Sequence, residues 1–370
     1  MYCIKLKMTD ISIEKIGDLR KAIKWINSLE GVDILKNKKC VAFLDVLGFS
    51  SYINSNANLA QESAMNMLNT INFIFKNRVS DHLSHPWQKY ESSLQNHAKR
   101  KDIDSFDCFM PMSDGIFIIG NDANTFIDQV SSFLCNCFTY AAKTYLNPID
   151  HNAPERIIEK RFTLDENKGL IFDEVEVQCF PSIFRGGVCF DNAVILQMTS
   201  LMRNEKNMSE RERKIARDYG LKTGFKETVN VAGKGIVSAV GLERCGGKGP
   251  KLFISNNFFD QLDCTHKNLI ALDDYSQVRH FMWPAYSLIW ENNIEIEILN
   301  GCNDFLLPAI RLWNAYKGQK YEPHYCEFVK LIINSYLSLS VQHGVVLKIK
   351  EIIRNFLEKH EINCFSSILE

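Results

Sequence analysis

Two aspartates stand where their chemistry matters. Asp45 closes the apolar run Val41-Ala-Phe-Leu-Asp45, and Asp114 sits in Ser113-Asp114-Gly115 between two short apolar segments. A carboxylate inside such a run is costly unless something compensates its charge. If the two strands are neighbours, both carboxylates reach one sheet edge and can hold a pair of Mg²⁺ or Mn²⁺ ions about 4 Å apart. Each Asp taken alone also suits a turn or a cap, so the shared context carries the paired reading. Immediately after Asp45, Val46-Leu-Gly-Phe-Ser50 passes from strand to helix, where free backbone N–H groups and the helix dipole favour a phosphate. The single glycine, Gly48, makes this a weak signal by itself. Residues 241–248 lack the Ser or Thr that follows the lysine of a phosphate-binding loop, so Cys245-Gly-Gly-Lys-Gly249 reads as a turn.

These residues need a scaffold, and the chain can build one. It has 370 residues, 46% hydrophobic and 24% charged, enough for one large core or two ordinary ones. A formal charge of -1 offers no broad electrostatic drive toward nucleic acid or anionic lipid, so an anionic partner must be held by a local site. No run approaches the roughly 18 apolar residues of a membrane helix, and the first ten residues hold no signal-peptide core. The expectation is a cytoplasmic protein with no nucleic-acid or membrane partner. The 12 Cys are scattered and mostly in apolar contexts, which points to reduced, buried thiols. Paired Cys or His at zinc spacings are missing: Cys135 and Cys137 lie two apart in a helical pattern, and His324 with Cys326 has no second pair.

The periodicities predict a helix over 13–29, a strand over 41–50 ending in a Gly turn, and a helix through 64–75. A polar stretch follows over 79–104, then a hairpin of 106–112 with 115–120 and an amphipathic helix over 122–145. Beyond a polar insertion at 147–177 come a strand at 182–190, a charged helix at 203–218, a helix at 231–243 and a strand at 250–255. The charged 203–218 segment interleaves Glu205, Glu210 and Glu212 with its bases and reads as a solvated face. After Tyr275 the texture is helical, with apolar stripes at 305–316, 325–339 and 345–360. This order predicts an α+β fold with a mixed sheet and helices on one face.

The sequence resembles the class III nucleotidyl cyclases over about 41–255. Phe43-Leu-Asp45-Val-Leu-Gly-Phe-Ser50 resembles the first metal motif, Ser113-Asp114-Gly115 the second, and Phe184-Arg-Gly-Gly-Val188 the strand that follows. Asn230-Val-Ala-Gly-Lys-Gly-Ile-Val-Ser-Ala-Val-Gly-Leu-Glu243 lies without gaps on the signature helix. Within the family, the Asp-X-Leu-Gly-Phe form and the Arg-Gly-Gly strand look most like the pyrimidine cyclases of the bacterial Pycsar antiphage system. The resemblance implies a ferredoxin-like βαββαβ core at 41–265, preceded by a helical segment at 1–40 and followed by a mostly helical extension at 266–370. Insertions fall near 79–104, 147–180 and 200–228.

It also implies a chemistry and a set of site residues. Two Mg²⁺ or Mn²⁺ ions would be held by Asp45, Val46 and Asp114, with the nucleotide against Val46, Leu47, Gly48, Phe49 and Ser50; Tyr52, just beyond the turn, is a candidate for stacking on the base, with core packing the alternative reading for an aromatic there. Where adenylate cyclases place a base-reading Lys and its partner Asp, this chain has Met110 and Asn230. Neither purine reader is present, which agrees with UTP, or secondarily CTP, as the substrate of a cyclase releasing the 3′,5′-cyclic monophosphate and pyrophosphate. The transition-state Asn and Arg of the family fall on Val237 and Gly241. Arg185, ahead of Lys234 and Arg244, is the candidate replacement, and an ion-pairing role for it is equally open. The implied assembly is a head-to-tail homodimer with composite sites, its product activating a separate effector. The alternative is a catalytically inactive cyclase fold that binds a nucleotide or protein as a sensor.

Overall fold

The computed structural model describes residues 38–49, 106–112, 115–141, 156–165, 169–178, 183–202, 224–288, 293–362 and 364–370. The helices expected at 13–29, 64–75 and 203–218 and the polar stretch at 79–104 lie outside the described residues.

The chain divides into two compact units, one of residues 1–38 with 192–233 and one of the remainder. In chain order the described elements begin with β1 (Lys38–Val46), β2 (Phe106–Met112), β3 (Gly115–Gly120) and α1 (Ala123–Ala141). A hairpin follows, β4 (Arg156–Asp165) with β5 (Gly169–Gln178), and then β6 (Phe184–Asn192). A second hairpin, β7 (Val194–Met202) with β8 (Gly224–Ala232), belongs to the smaller unit. The chain continues through α2 (Lys234–Glu243), β9 (Leu252–Ile254), α3 (Asn256–Gln261), α4 (Cys264–Lys267), β10 (Ile270–Leu272) and β11 (Arg279–Phe281). It finishes in α5 (Ile294–Gly301), α6 (Leu307–Ala315), α7 (Glu322–Gln342) and α8 (Val346–Lys359).

The main sheet has the order β10-β11-β9-β6-β1-β3-β2. It is mixed: β6 and β9 are parallel, while β1–β3, β3–β2, β9–β11 and β10–β11 are antiparallel. The Leu47 N–H donates to Ile183 O at 2.9 Å while Gly186 lies beside Phe43 and Leu44, so β1 and β6 run in opposite senses. The first four strands of this sheet in the chain, β1, β2, β3 and β6, therefore lie side by side in the order β6-β1-β3-β2.

Alternation along the strands gives the sheet two distinct faces. One carries Cys40, Ala42, Leu44, Val46, Ile116, Ile118, Val188, Leu252 and Ile254, all buried in one core with α1. The stripe of α1 that meets them, Phe126, Ile127, Val130, Phe133, Leu134, Cys137 and Phe138, has the spacing that put a helix there from sequence. Asp122 caps that helix, accepting from Thr125 N at 2.9 Å. Phe138 meets Phe305 at 4.9 Å and Phe328 at 4.8 Å, and Trp283 stacks on Phe328 at 5.7 Å. The C-terminal helices thus share the core of the sheet, and each fully buried aromatic contributes about 1.5–3 kcal/mol.

The other face carries Val41, Phe43, Asp45, Phe117, Ile119, Arg185, Gly187 and Cys189, and α2 packs on it. A Cβ at Gly187 would collide with the Ala239 carbonyl, and the Cys189 thiol donates to Gly235 O at 3.2 Å. Helices therefore cover both faces, which corrects the one-sided arrangement expected above. A second correction concerns 231–243: Val231 and Ala232 pair with Ile195 and Val194 in β8, and the helix starts only at Lys234, after Gly233 at φ 130°. The polar insertion contains the β4–β5 hairpin, and β10 and β11 extend the sheet past residue 265.

Candidate functional site

The C-terminal end of β1 is where the sequence-predicted residues gather. Register places Asp45 opposite Gly115 and Gly115 opposite Met112, so these three residues form a row across β1, β3 and β2. Ser113 and Asp114, between Met112 and Gly115 in the chain, lie outside the described residues, as do Ser50 and Tyr52. Asp45 is half-buried. Two residues back on the same face runs a second row, Phe43, Phe117 and Met110, with the rings of Phe43 and Phe117 4.7 Å apart. Phe43 leans toward the Asp45 row, because a Cβ at Gly115 would come within 2.7 Å of its ring. The edge thus sets a carboxylate beside an apolar, partly aromatic shelf that offers no side-chain hydrogen-bond donor.

Beyond Asp45 the chain turns at Leu47 and Gly48, Gly48 at φ 81°, and Phe49 is helical. The side chains of Val46, Leu47 and Phe49 are buried in the core on this turn. The Leu47 N–H of this turn is committed to Ile183 O.

Arg185 begins β6 at the same end and on the same face of the sheet as Asp45. Its guanidinium is held in place: Nε donates to Glu243 Oε1 at 2.8 Å, Nη2 donates to the same oxygen, and Nη1 donates to Gly247 O at 3.3 Å. Glu243 is 3% exposed, and its place on α2 follows from the buried stripe Gly235, Ala239, Glu243 at helical spacing. The opposite stripe of α2 is open. Val237 is 73% exposed, Gly241 is exposed, and Lys234 pairs with Asp191 at 3.3 Å. Asn230 is exposed in β8, opposite Leu196, in the smaller unit. The structure therefore brings Asp45, Met110 and Arg185 to one unit and one face, and leaves Asn230 in the other unit.

The sequence reading missed the partners of these residues. Lys251, just before β9, is buried and pairs with Asp273 and, at 3.3 Å, with Glu327 of α7. Asp273 also accepts from Ser276 N and Oγ, each at 2.8 Å; these bonds and Lys251 hold its carboxyl below the usual range against the opposing effect of burial. A separate charged knot lies on the core side. His266, 2% exposed, meets Asp263 at 2.6 Å and Asp128 of α1 at 2.8 Å, and Tyr286 donates to the same Asp128 oxygen. Burial alone would push the imidazole down, but the two carboxylates outweigh it and raise its pKa to about 9.

Five of the described cysteines are buried, and burial pushes their thiols up, to about 12 for Cys189 and Cys302. Among the described residues no three His, Cys, Asp or Glu groups form a metal cluster, and no helix is long and apolar enough to cross a membrane. Neither a protein-family model nor a curated protein matches the chain.

Proposed function

We propose that the protein is a pyrimidine nucleotidyl cyclase that converts UTP, or secondarily CTP, to the 3′,5′-cyclic monophosphate and pyrophosphate. One observation carries the reading. Asp45, one residue before the end of β1, lies directly opposite Gly115, the residue that follows Asp114, within four strands ordered β6-β1-β3-β2 as in a ferredoxin-like βαββαβ core. Asp45 and Asp114 would supply the hard-oxygen donors that Mg²⁺ and Mn²⁺ accept. Two such ions, when bound, would lower the pKa of the ribose 3′-OH and neutralise the α-phosphate.

The chain's own residues supply position. The shelf of Phe43, Phe117 and Met110 would receive the base by apolar contact, and its lack of donors agrees with the absence of purine readers. A second copy of the chain would contribute its 230–241 region to a composite site in a head-to-tail dimer, and the cyclic product would signal to a separate effector in antiphage defence. Arg185 would act on phosphate oxygens only through the guanidinium hydrogens that Glu243 and Gly247 leave unused.

The second reading is a nucleotide-binding sensor without turnover. It is favoured by Val237 and Gly241, whose exposed positions offer no donor to a transition state, and loss of such donors lowers rates by about 100- to 1000-fold. Incubation of the purified protein with Mn²⁺ and each of the four labelled nucleoside triphosphates, followed by chromatography, decides between them. A single cyclic pyrimidine that disappears in Asp45→Ala and Asp114→Ala, with melting unchanged, is the expected result. No product from any nucleotide by a folded, nucleotide-binding protein selects the sensor.

A further inference from the structure

The turn between α2 and β9 is built more firmly than a connecting loop requires. Residues 246–249 read Gly-Gly-Lys-Gly, with Gly246 at φ 94° and Gly249 at φ 82°. Three anchors fix it in succession: Arg185 Nη1 donates to Gly247 O at 3.3 Å, Lys248 Nζ lies 5.0 Å from the centre of the Tyr275 ring, and Gly249 N–H donates to His324 Nδ1 at 3.2 Å. The Phe253 ring fills the space a Cβ at Gly247 would need, so the main chain is packed down onto the sheet.

The charges around this turn do not balance. Glu243 is taken by Arg185, and Glu327 is shared by Lys251 and Lys330, the latter at 2.9 Å. Lys251 is matched by Asp273, which leaves Lys248 with no carboxylate partner among the described residues. Among the described residues, Arg185 uses three of its five guanidinium hydrogens in the bonds above, leaving two. His324 accepts at Nδ1, so its neutral ring carries the proton at Nε2 as a donor. Burial, then the nearby charges of Arg185 and Lys248, push its pKa down, so the ring is neutral at neutral pH. Two cations and a neutral N–H donor from β6, the turn and α7 surround one fixed, glycine-rich segment.

We propose that residues 246–249, with Lys248, His324 and the free hydrogens of Arg185, form a binding site for a diphosphate-type anion. Gly246 is exposed and a Cβ there would meet nothing within 4 Å, so a ligand can approach the main chain closely at that residue, and preset donors lose little freedom on binding it. The site lies at the Asp45 end of the sheet, two strand spacings or about 10 Å from β1. Its assignment to the pyrophosphate released from a nucleotide rests on the cyclase reading; its capacity for the anion does not.

The test is calorimetric titration of the full-length protein with inorganic pyrophosphate in metal-free buffer, with sulfate at matched ionic strength as the control anion. Pyrophosphate is expected to bind, and Lys248→Met and His324→Ala each to weaken it by about tenfold at unchanged melting temperature. Lys248→Met keeps the aliphatic stem on Tyr275, so it reports on charge even if His324→Ala loosens the turn. No measurable pyrophosphate binding by the folded protein, equal affinity for sulfate, or unchanged affinity in Lys248→Met overturns the site. If no nucleotide is cyclised but pyrophosphate still binds through Lys248, the site stands and only its link to cyclisation is removed.

Discussion

His266 and Lys248 belong to the same unit and show two opposite ways of handling charge. His266 is buried between Asp128 and Asp263, so both ring nitrogens meet a carboxylate, and Tyr286 donates to the same Asp128 oxygen. Lys248 rests on an aromatic ring near His324 and Arg185, with no acid assigned to it among the described residues. A closed set of charges joins α1 to the α3–α4 segment and contributes stability. An open set of donors contributes little to stability and is available to a ligand.

Removing the centre of the closed knot should have the largest effect on stability. His266→Ala would leave Asp128 and Asp263 facing each other without a cation, and the expected loss is about 3 kcal/mol in denaturant unfolding, with Lys248→Met nearly silent. Equal losses in the two variants would erase the distinction. The same knot predicts a pH signature. The folded-state pKa of His266 is raised from 6.5 to about 9, so its stabilisation is fully present below pH 6.5 and disappears as the pH rises through about 9. On the order of 3 kcal/mol is involved. Melting temperatures of wild type and His266→Gln should therefore converge as the pH rises from 6.5 to 9, and a constant gap would show that the imidazole is not charged in the fold.

Glu243→Gln tests the half-closed case. The amide still offers an oxygen to Arg185 but no charge, and a loss of about 1–2 kcal/mol is expected. If Arg185 serves a phosphate as well as Glu243, the same variant frees its guanidinium and should tighten pyrophosphate binding. Weaker binding together with the stability loss would mean that Glu243 matters only by placing the arginine.

The contrast also explains what was legible in the sequence. β1, β3, α1, β6 and the helices from α6 onward announced themselves because each buries an apolar run or stripe of its own, and β2, none of whose residues is buried, was legible as the other arm of the hairpin. β10 and β11 did not: at three residues each they are too short to show a period and exist because β9 offers them an edge. The β4–β5 hairpin was masked by polar residues such as Glu159, Lys160 and Arg161. Val231 and Ala232 fit a helical spacing equally well, and only pairing with β7 decides for a strand. Within the site, Asp45 stood out because its sequence neighbours are apolar. Glu243 and His324 did not, since their partners lie 58 and 75 residues away. Long-range charge pairing has no local period.

The smallest effect expected is a gain. Gly241 sits inside α2 on the open stripe, where a Cβ would meet nothing within 4 Å, and its neighbour two positions on, Glu243, is buried on the opposite side. Nothing in its contacts requires a glycine, while glycine in a helix interior costs about 0.5–1 kcal/mol relative to alanine. Gly241→Ala should therefore raise the unfolding free energy by that amount and leave pyrophosphate affinity unchanged, since the stripe faces away from the Arg185–Glu243 pair. A gain in stability accompanied by lost turnover in the labelled-nucleotide assay would instead show that the open stripe of α2 must admit a second chain closely. That outcome would move Gly241 from the inert part of the helix to the working part of a composite site.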